Sequence, residues 1–133
     1  MTQQELLIKH EGLRNIIYYD SLGIPTIGVG RNLKDRGVTN AEALFMLNND
    51  IVDFTQQLSD RLYWFDAQPD QAKLVLIDMA FNLGLAGLLQ FHNTLEHIKN
   101  GDYKLAAEDM LNSKWANQVG QRARDLSNIL NTI

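Results

Sequence analysis

The stretch Ile16-Ile17-Tyr18-Tyr19-Asp20-Ser21-Leu22-Gly23-Ile24-Pro25-Thr26-Ile27-Gly28-Val29-Gly30 decides the fold, because it interrupts a helical pattern with a different period. Four β-branched and aromatic residues lead into turn chemistry at Asp20-Ser21-Leu22-Gly23, and Pro25 to Gly30 reads as a second short strand. Upstream, Thr2 and Glu5 have the spacing of a capping box, with Leu6, Leu7 and Leu13 on one helical face. A helix over residues 3–13, closed by Gly12 or just after, therefore runs straight into a hairpin.

Downstream the chain is helical throughout. Thr39-Asn40-Ala41-Glu42 repeats the capping box, and Leu44, Leu47, Ile51, Phe54, Leu58 and Leu62 follow at steps of three and four. The spacing predicts one helix over about 40–61, with Asp50, Asp53, Gln56, Gln57 and Asp60 on its solvated face. Pro69 suits a first helical turn, and Ala72 to Leu83 is apolar almost all round, broken only by Lys73, Asp78 and Asn82. This helix should be the buried centre of a bundle. Gly84, Gly87 and Phe91 then mark a connection to a helix near 93–99, Asn100-Gly101 ends that one, and another runs from Asp102 or Tyr103 through Leu111. Trp115 follows a break, and Arg122, Leu126, Ile129, Leu130 and Ile133 outline a last amphipathic helix. With no internal repeat and no linker, the expected architecture is α+β and mainly α: one domain over 1–133, with a small β lobe at about 14–38, a linking helix at about 40–61 and a helical lobe at about 66–133.

Composition bounds the function. Of 133 residues, 45% are hydrophobic and none is cysteine, which fits a core that needs no disulfide or thiolate zinc site. Twelve basic against sixteen acidic side chains give a net charge of −4, which speaks against nucleic acid as a partner. The acid excess sits in residues 38–109, with eleven acidic against four basic side chains, so an anionic ligand should prefer surfaces built from the two ends. The apolar run Leu6-Leu7-Ile8 is too short for a signal-peptide core, so the protein is expected to be soluble in the cytoplasm where it is made. His10, His92 and His97 lack the spacing of a metal site, and no metal or cofactor is expected.

Glu11, Asp20 and Thr26 bracket the helix-to-hairpin junction. Two carboxylates on different elements around one junction are what glycosidic cleavage requires, one to protonate the leaving oxygen and one to activate water, and a threonine hydroxyl can give that water a further partner. Taken singly, each residue has a plainer reading: Asp20 as a turn residue, Glu11 as a surface acid, Thr26 as a strand former.

Their joint context resembles a known family. Lys9-His10-Glu11-Gly12-Leu13-Arg14, Ile17-Tyr18-Tyr19-Asp20 and Thr26-Ile27-Gly28-Val29-Gly30 are similar to the amino-terminal signature of phage-type lysozymes, glycoside hydrolase family 24. Met79 to Gly84, Phe91 to Thr94, Ser113 to Trp115, Asn117-Gln118 and Arg122-Ala123 resemble the family's later helical segments. The resemblance implies a lysozyme-like fold and an endolysin that hydrolyses the β-1,4 bond between N-acetylmuramic acid and N-acetylglucosamine in peptidoglycan, with the glycan strands as partner. It implies Glu11 as general acid, and Asp20 and Thr26 as the pair that positions water. Asn82 and Arg31 fall at substrate-binding positions, and Arg122 falls where the family has an arginine beside the catalytic acid. Arg31 replaces a histidine of a well-studied member, and the short span from Arg31 to Asn40 implies a trimmed β lobe. The resemblance further implies a monomer that reaches the wall through a membrane lesion made by a holin-type protein. The rival readings are a non-catalytic wall-binding or structural phage protein and a lytic transglycosylase.

Overall fold

The computed structural model describes the whole chain, Met1–Ile133. Seven helices and one small antiparallel sheet follow in the order α1 (Gln3–Glu11), β1 (Arg14–Tyr19), β2 (Pro25–Gly28), β3 (Arg31–Asn32), α2 (Asn40–Arg61), α3 (Asp70–Leu88), α4 (His92–Lys99), α5 (Tyr103–Leu111), α6 (Lys114–Val119) and α7 (Gln121–Asn131), with a 3-10 turn at Phe65–Ala67. The class is α+β and mainly α, as the change of period indicates. The chain forms two compact units, Met1–Met46 and Leu47–Ile133.

In the first unit, the α1 capping box is complete: Glu5 N–H donates to Thr2 Oγ1 at 3.0 Å, and Thr2 N–H donates to Glu5 Oε2 at 2.9 Å. The helix ends at Glu11, two residues earlier than the apolar pattern suggested, because Gly12 closes it by donating its N–H to the Ile8 carbonyl at 2.8 Å. None of its residues is buried, so the face drawn through Leu6, Leu7 and Leu13 is not a core face of this helix. The sheet order is β1-β2-β3, with Tyr18 opposite Thr26 and Thr26 opposite Asn32. The two-residue strand β3 is too short to leave a period in the sequence. Thr26, 4% exposed on the central strand, is the one buried residue of this unit.

In the second unit, the core is drawn from every helix. Leu58, Phe65, Val75, Leu76, Met79, Leu88, Ile98, Met110 and Leu130 are fully buried. Helix α3 supplies the largest share of it and is long and apolar enough to cross a membrane by length and composition, yet here Ala72, Val75, Leu76, Met79 and Ala80 line the core of the unit. Its continuity is broken at Gly84, where φ is 74° and ψ 160°. Only glycine adopts that region without strain, and the chain resumes a helical turn to Leu88. The expected loop at 84–91 is thus mostly helix around one kinked residue. Trp115 lies inside a short helix, α6, capped by Ser113 through its hydroxyl to Ala116 N–H at 3.1 Å. Phe91 packs edge-on against its indole with ring centroids 5.7 Å apart. The stripe of α2 is buried at Leu58, half-buried at Phe54 and exposed at Leu44, Leu47 and Ile51.

Leu76→Ala should remove packing from a fully buried position of α3 and cost about 2–5 kcal/mol. Chemical denaturation with an unchanged slope checks this; a loss under about 1 kcal/mol would show that the α3 face is not a close-packed core.

Candidate active site

Asp20 follows the last residue of β1, and its side chain builds the turn that returns the chain into β2. Oδ1 accepts from Leu22 N–H at 2.8 Å and from Ile24 N–H at 2.9 Å, while the Asp20 N–H donates to the Ile24 carbonyl at 3.0 Å. This is the double local bond for which aspartate is favoured in turns. The other carboxylate oxygen, Oδ2, takes no part in it. Thr26 Oγ1 donates to the same Ile24 carbonyl at 2.8 Å. One peptide therefore couples the two residues, and the Thr26 hydroxyl proton is committed, so that toward anything else the oxygen can only accept.

Glu11 is the last residue of α1 and is exposed. Its carboxylate accepts no hydrogen bond within its unit and lies along Gly30, where a Cβ would stand 2.8 Å from Oε2. Glu11, Asp20 and Thr26 thus all belong to the first unit, at the end of α1, in the β1–β2 turn and on β2.

Arg31, at the start of β3, forms a two-pronged ion pair with Glu42: Nη1 to Oε1 at 2.9 Å and Nη2 to Oε2 at 2.7 Å, with a further bond from Nη1 to the Gly37 carbonyl at 3.1 Å. Glu42 also caps α2, accepting from Thr39 N–H at 2.9 Å while its own N–H donates to Thr39 Oγ1 at 3.1 Å. The Arg31 guanidinium, followed by the Thr39 contacts, pulls the Glu42 carboxyl down to about 2. Beside this pair a cleft of about 750 Å³ opens, walled by Val29, Gly30, Val38, Phe45 and Met46. The Arg31 guanidinium thereby holds Gly37 and α2 to β3. Glu42 was legible as a cap but not as this partner, since the pairing spans a loop that has no period.

The remaining candidates lie in the second unit. Asn82 Oδ1 accepts from Trp115 Nε1 at 2.8 Å, which fixes the amide and leaves its NH₂ group free of protein partners. Arg122 Nε donates to Asp78 Oδ1 at 2.7 Å, and Nη2 donates to the Asp78 carbonyl at 3.3 Å. Asp78 and Arg122 edge a recess of about 360 Å³ lined by Leu47, Ile51, Leu74, Ile77 and Phe81. His97 Nδ1 meets Asp109 Oδ2 at 2.5 Å between α4 and α5. No group of three or more His, Asp or Glu side chains could hold a metal ion.

The phage lysozyme family model matches residues 8–129, and the chain belongs to that family. That family is one of lysozyme-type enzymes. The pre-baseplate central spike protein Gp5 of Enterobacteria phage T4 is 25% identical over 161 residues, a span that takes in 99% of this chain and 28% of the spike protein. The chain thus matches little more than a quarter of that relative's length. Because the aligned span exceeds the chain, the relative also carries residues with no counterpart here.

The Arg31–Glu42 pair gives a pH dependence with a defined sign. Glu42 is depressed from the ordinary 4.5 to about 2, so its stabilisation is complete above the ordinary carboxylate range and is lost as pH falls toward 2. Melting temperature should decline less steeply over that acid range in Glu42→Gln than in the wild type; parallel curves would show that the pair adds nothing to folding.

Proposed function

We propose that the chain is a muramidase that hydrolyses the β-1,4 bond between N-acetylmuramic acid and N-acetylglucosamine by direct attack of water. The observation that carries this is the pair of acceptors left at the β1–β2 turn. Asp20 keeps one carboxylate oxygen outside the turn, and Thr26 has its proton tied to the Ile24 carbonyl. A water between them donates one hydrogen to each and is left with a lone pair to direct at the anomeric carbon. Glu11 gives its proton to the glycosidic oxygen as the bond from that oxygen to the anomeric carbon breaks. The water oxygen bonds to the same carbon, and its proton passes to Asp20.

This division of labour predicts inversion, because the nucleophile is water and Asp20 stays off the sugar. The free NH₂ of Asn82 suits a hydrogen bond to a sugar acetamido carbonyl. For Arg122, the ion pair with Asp78 supports a role in fixing α7 against α3. The same reading supports an endolysin made in the host cytoplasm, acting as a monomer after a holin-type lesion opens the membrane. The likeness to a spike protein supports a second means of delivery, in which such a domain is carried to the wall as part of a larger assembly.

Two measurements test the chemistry. Glu11→Gln keeps shape and removes the proton, so wall clearing should fall by at least roughly two orders of magnitude with an unchanged thermal transition; near wild-type clearing would remove Glu11 from the mechanism. Proton NMR of fresh product should show the α-anomer first, and an initial β-anomer or a glycosyl adduct on Asp20 would refute water attack while leaving the muramidase reading intact. Delivery is tested by expression alone, which should leave cells intact until the membrane is permeabilised.

A further inference from the structure

Glu11 poses a problem of placement. A general acid must hold its proton close to one oxygen, and a misplacement of about 1 Å can cost as much as a hundredfold in rate. Yet Glu11 is exposed, stands at a helix end and has no hydrogen-bond partner within its unit. Its side chain has three rotatable bonds, of which the last is broad.

What it lies along is a bare stretch of backbone at Gly30. From the position that a Cβ would take at Gly30, Glu11 Oε2 lies 2.8 Å away, Cδ 3.2 Å and Cγ 3.4 Å. The end of the side chain therefore lies along the bare face of one residue, with Oε2 closer to that point than a real Cβ allows and Cδ in tight contact with it. Gly30 also has φ +63°, so backbone conformation alone is a sufficient reason for glycine there. Gly28 separates the two reasons. Its φ is +69°, nearly the same, but nothing lies within 4 Å of its Cβ position.

We propose that Gly30 is a positioning residue for the acid: its missing side chain forms the seat against which the Glu11 carboxyl is held, in addition to any demand of the turn. The proposal rests on the reading of Glu11 as the general acid. It places the acid's seat in the segment after β2, two residues before Asn32 and four after Thr26, so that one short stretch of chain carries both the water's partner and the surface that aims the proton.

The test is a stability cycle read by thermal melting, joined to kinetics on soluble wall fragments. Gly30→Ala should lower the melting temperature more than Gly28→Ala does, and Glu11→Ala should abolish that excess by removing the atoms that clash. Glu11→Ala should leave the Gly28→Ala shift as it was. If Gly30→Ala alone does not fold, the Gly30→Ala, Glu11→Ala double variant should. Gly30→Ala should lower kcat by at least roughly tenfold with KM kept within about twofold, and should displace the acid limb of the pH profile. Equal destabilisation by Gly30→Ala in both backgrounds, failure of both Gly30 variants to fold, or a wild-type kcat would overturn the proposal. Full activity of Glu11→Gln would overturn it too, since no acid would remain to be seated. The melting cycle shows separately whether the contact itself exists, so a failure of the acid assignment is distinguishable from a failure of the seat.

Discussion

The backbone of Ile24 is the constraint on which the first unit depends. Its N–H is held by the Asp20 carboxylate, and its carbonyl takes bonds from the Asp20 N–H and the Thr26 hydroxyl. A turn closed in this way commits half of one functional group and the proton of another. The halves left over define the chemistry, because two acceptors can order a water and cannot themselves protonate anything. In the proposed mechanism the proton therefore comes from elsewhere, from Glu11 at the end of the preceding helix. That Thr26 is the unit's one buried residue follows from its place on the central strand and gives its hydroxyl one fixed direction.

The helical unit meets a related demand. Helix α3 is apolar apart from a few side chains, and two of these, Asp78 and Asn82, are one turn apart and so share a face. Each is held by a residue from a later helix, Asp78 by Arg122 of α7 and Asn82 by Trp115 of α6. These are polar clasps on the rim of a hydrophobic core, and their exposure makes the Arg122 pair worth about 0.2–1 kcal/mol at most. Their value lies in orientation: the Trp115 N–H settles which way the Asn82 amide points, and the indole itself is buried core.

Much of this was legible in the sequence because it is local. The capping boxes at Thr2 and Thr39 place the starts of α1 and α2, and the steps of three and four carry α2 to its observed end at Arg61. The Asp20 turn was legible too, although the turn reading and the catalytic reading stood as rivals there. The structure gives Asp20 a turn role through one oxygen and leaves the other unused, so the two readings do not compete. What escaped was short or non-local. β3 has two residues and no period, α6 is a helix of barely two turns around a tryptophan, and the continuation beyond Gly84 depends on a conformation that a glycine permits without announcing. The Arg31–Glu42 pair joins a strand to a helix cap across a loop, and no spacing rule foretells it.

The proposed mechanism gives Asp20 two separable duties, and Asp20→Asn separates them. The amide oxygen can still accept from Leu22 and Ile24, while the NH₂ group replaces the oxygen assigned to water. The measurement is kcat on purified wall together with the melting temperature of the same sample. A wild-type melting temperature with kcat reduced by at least roughly a hundredfold is the expected result. Retained activity, or a loss of activity that merely follows a loss of folding, would contradict it.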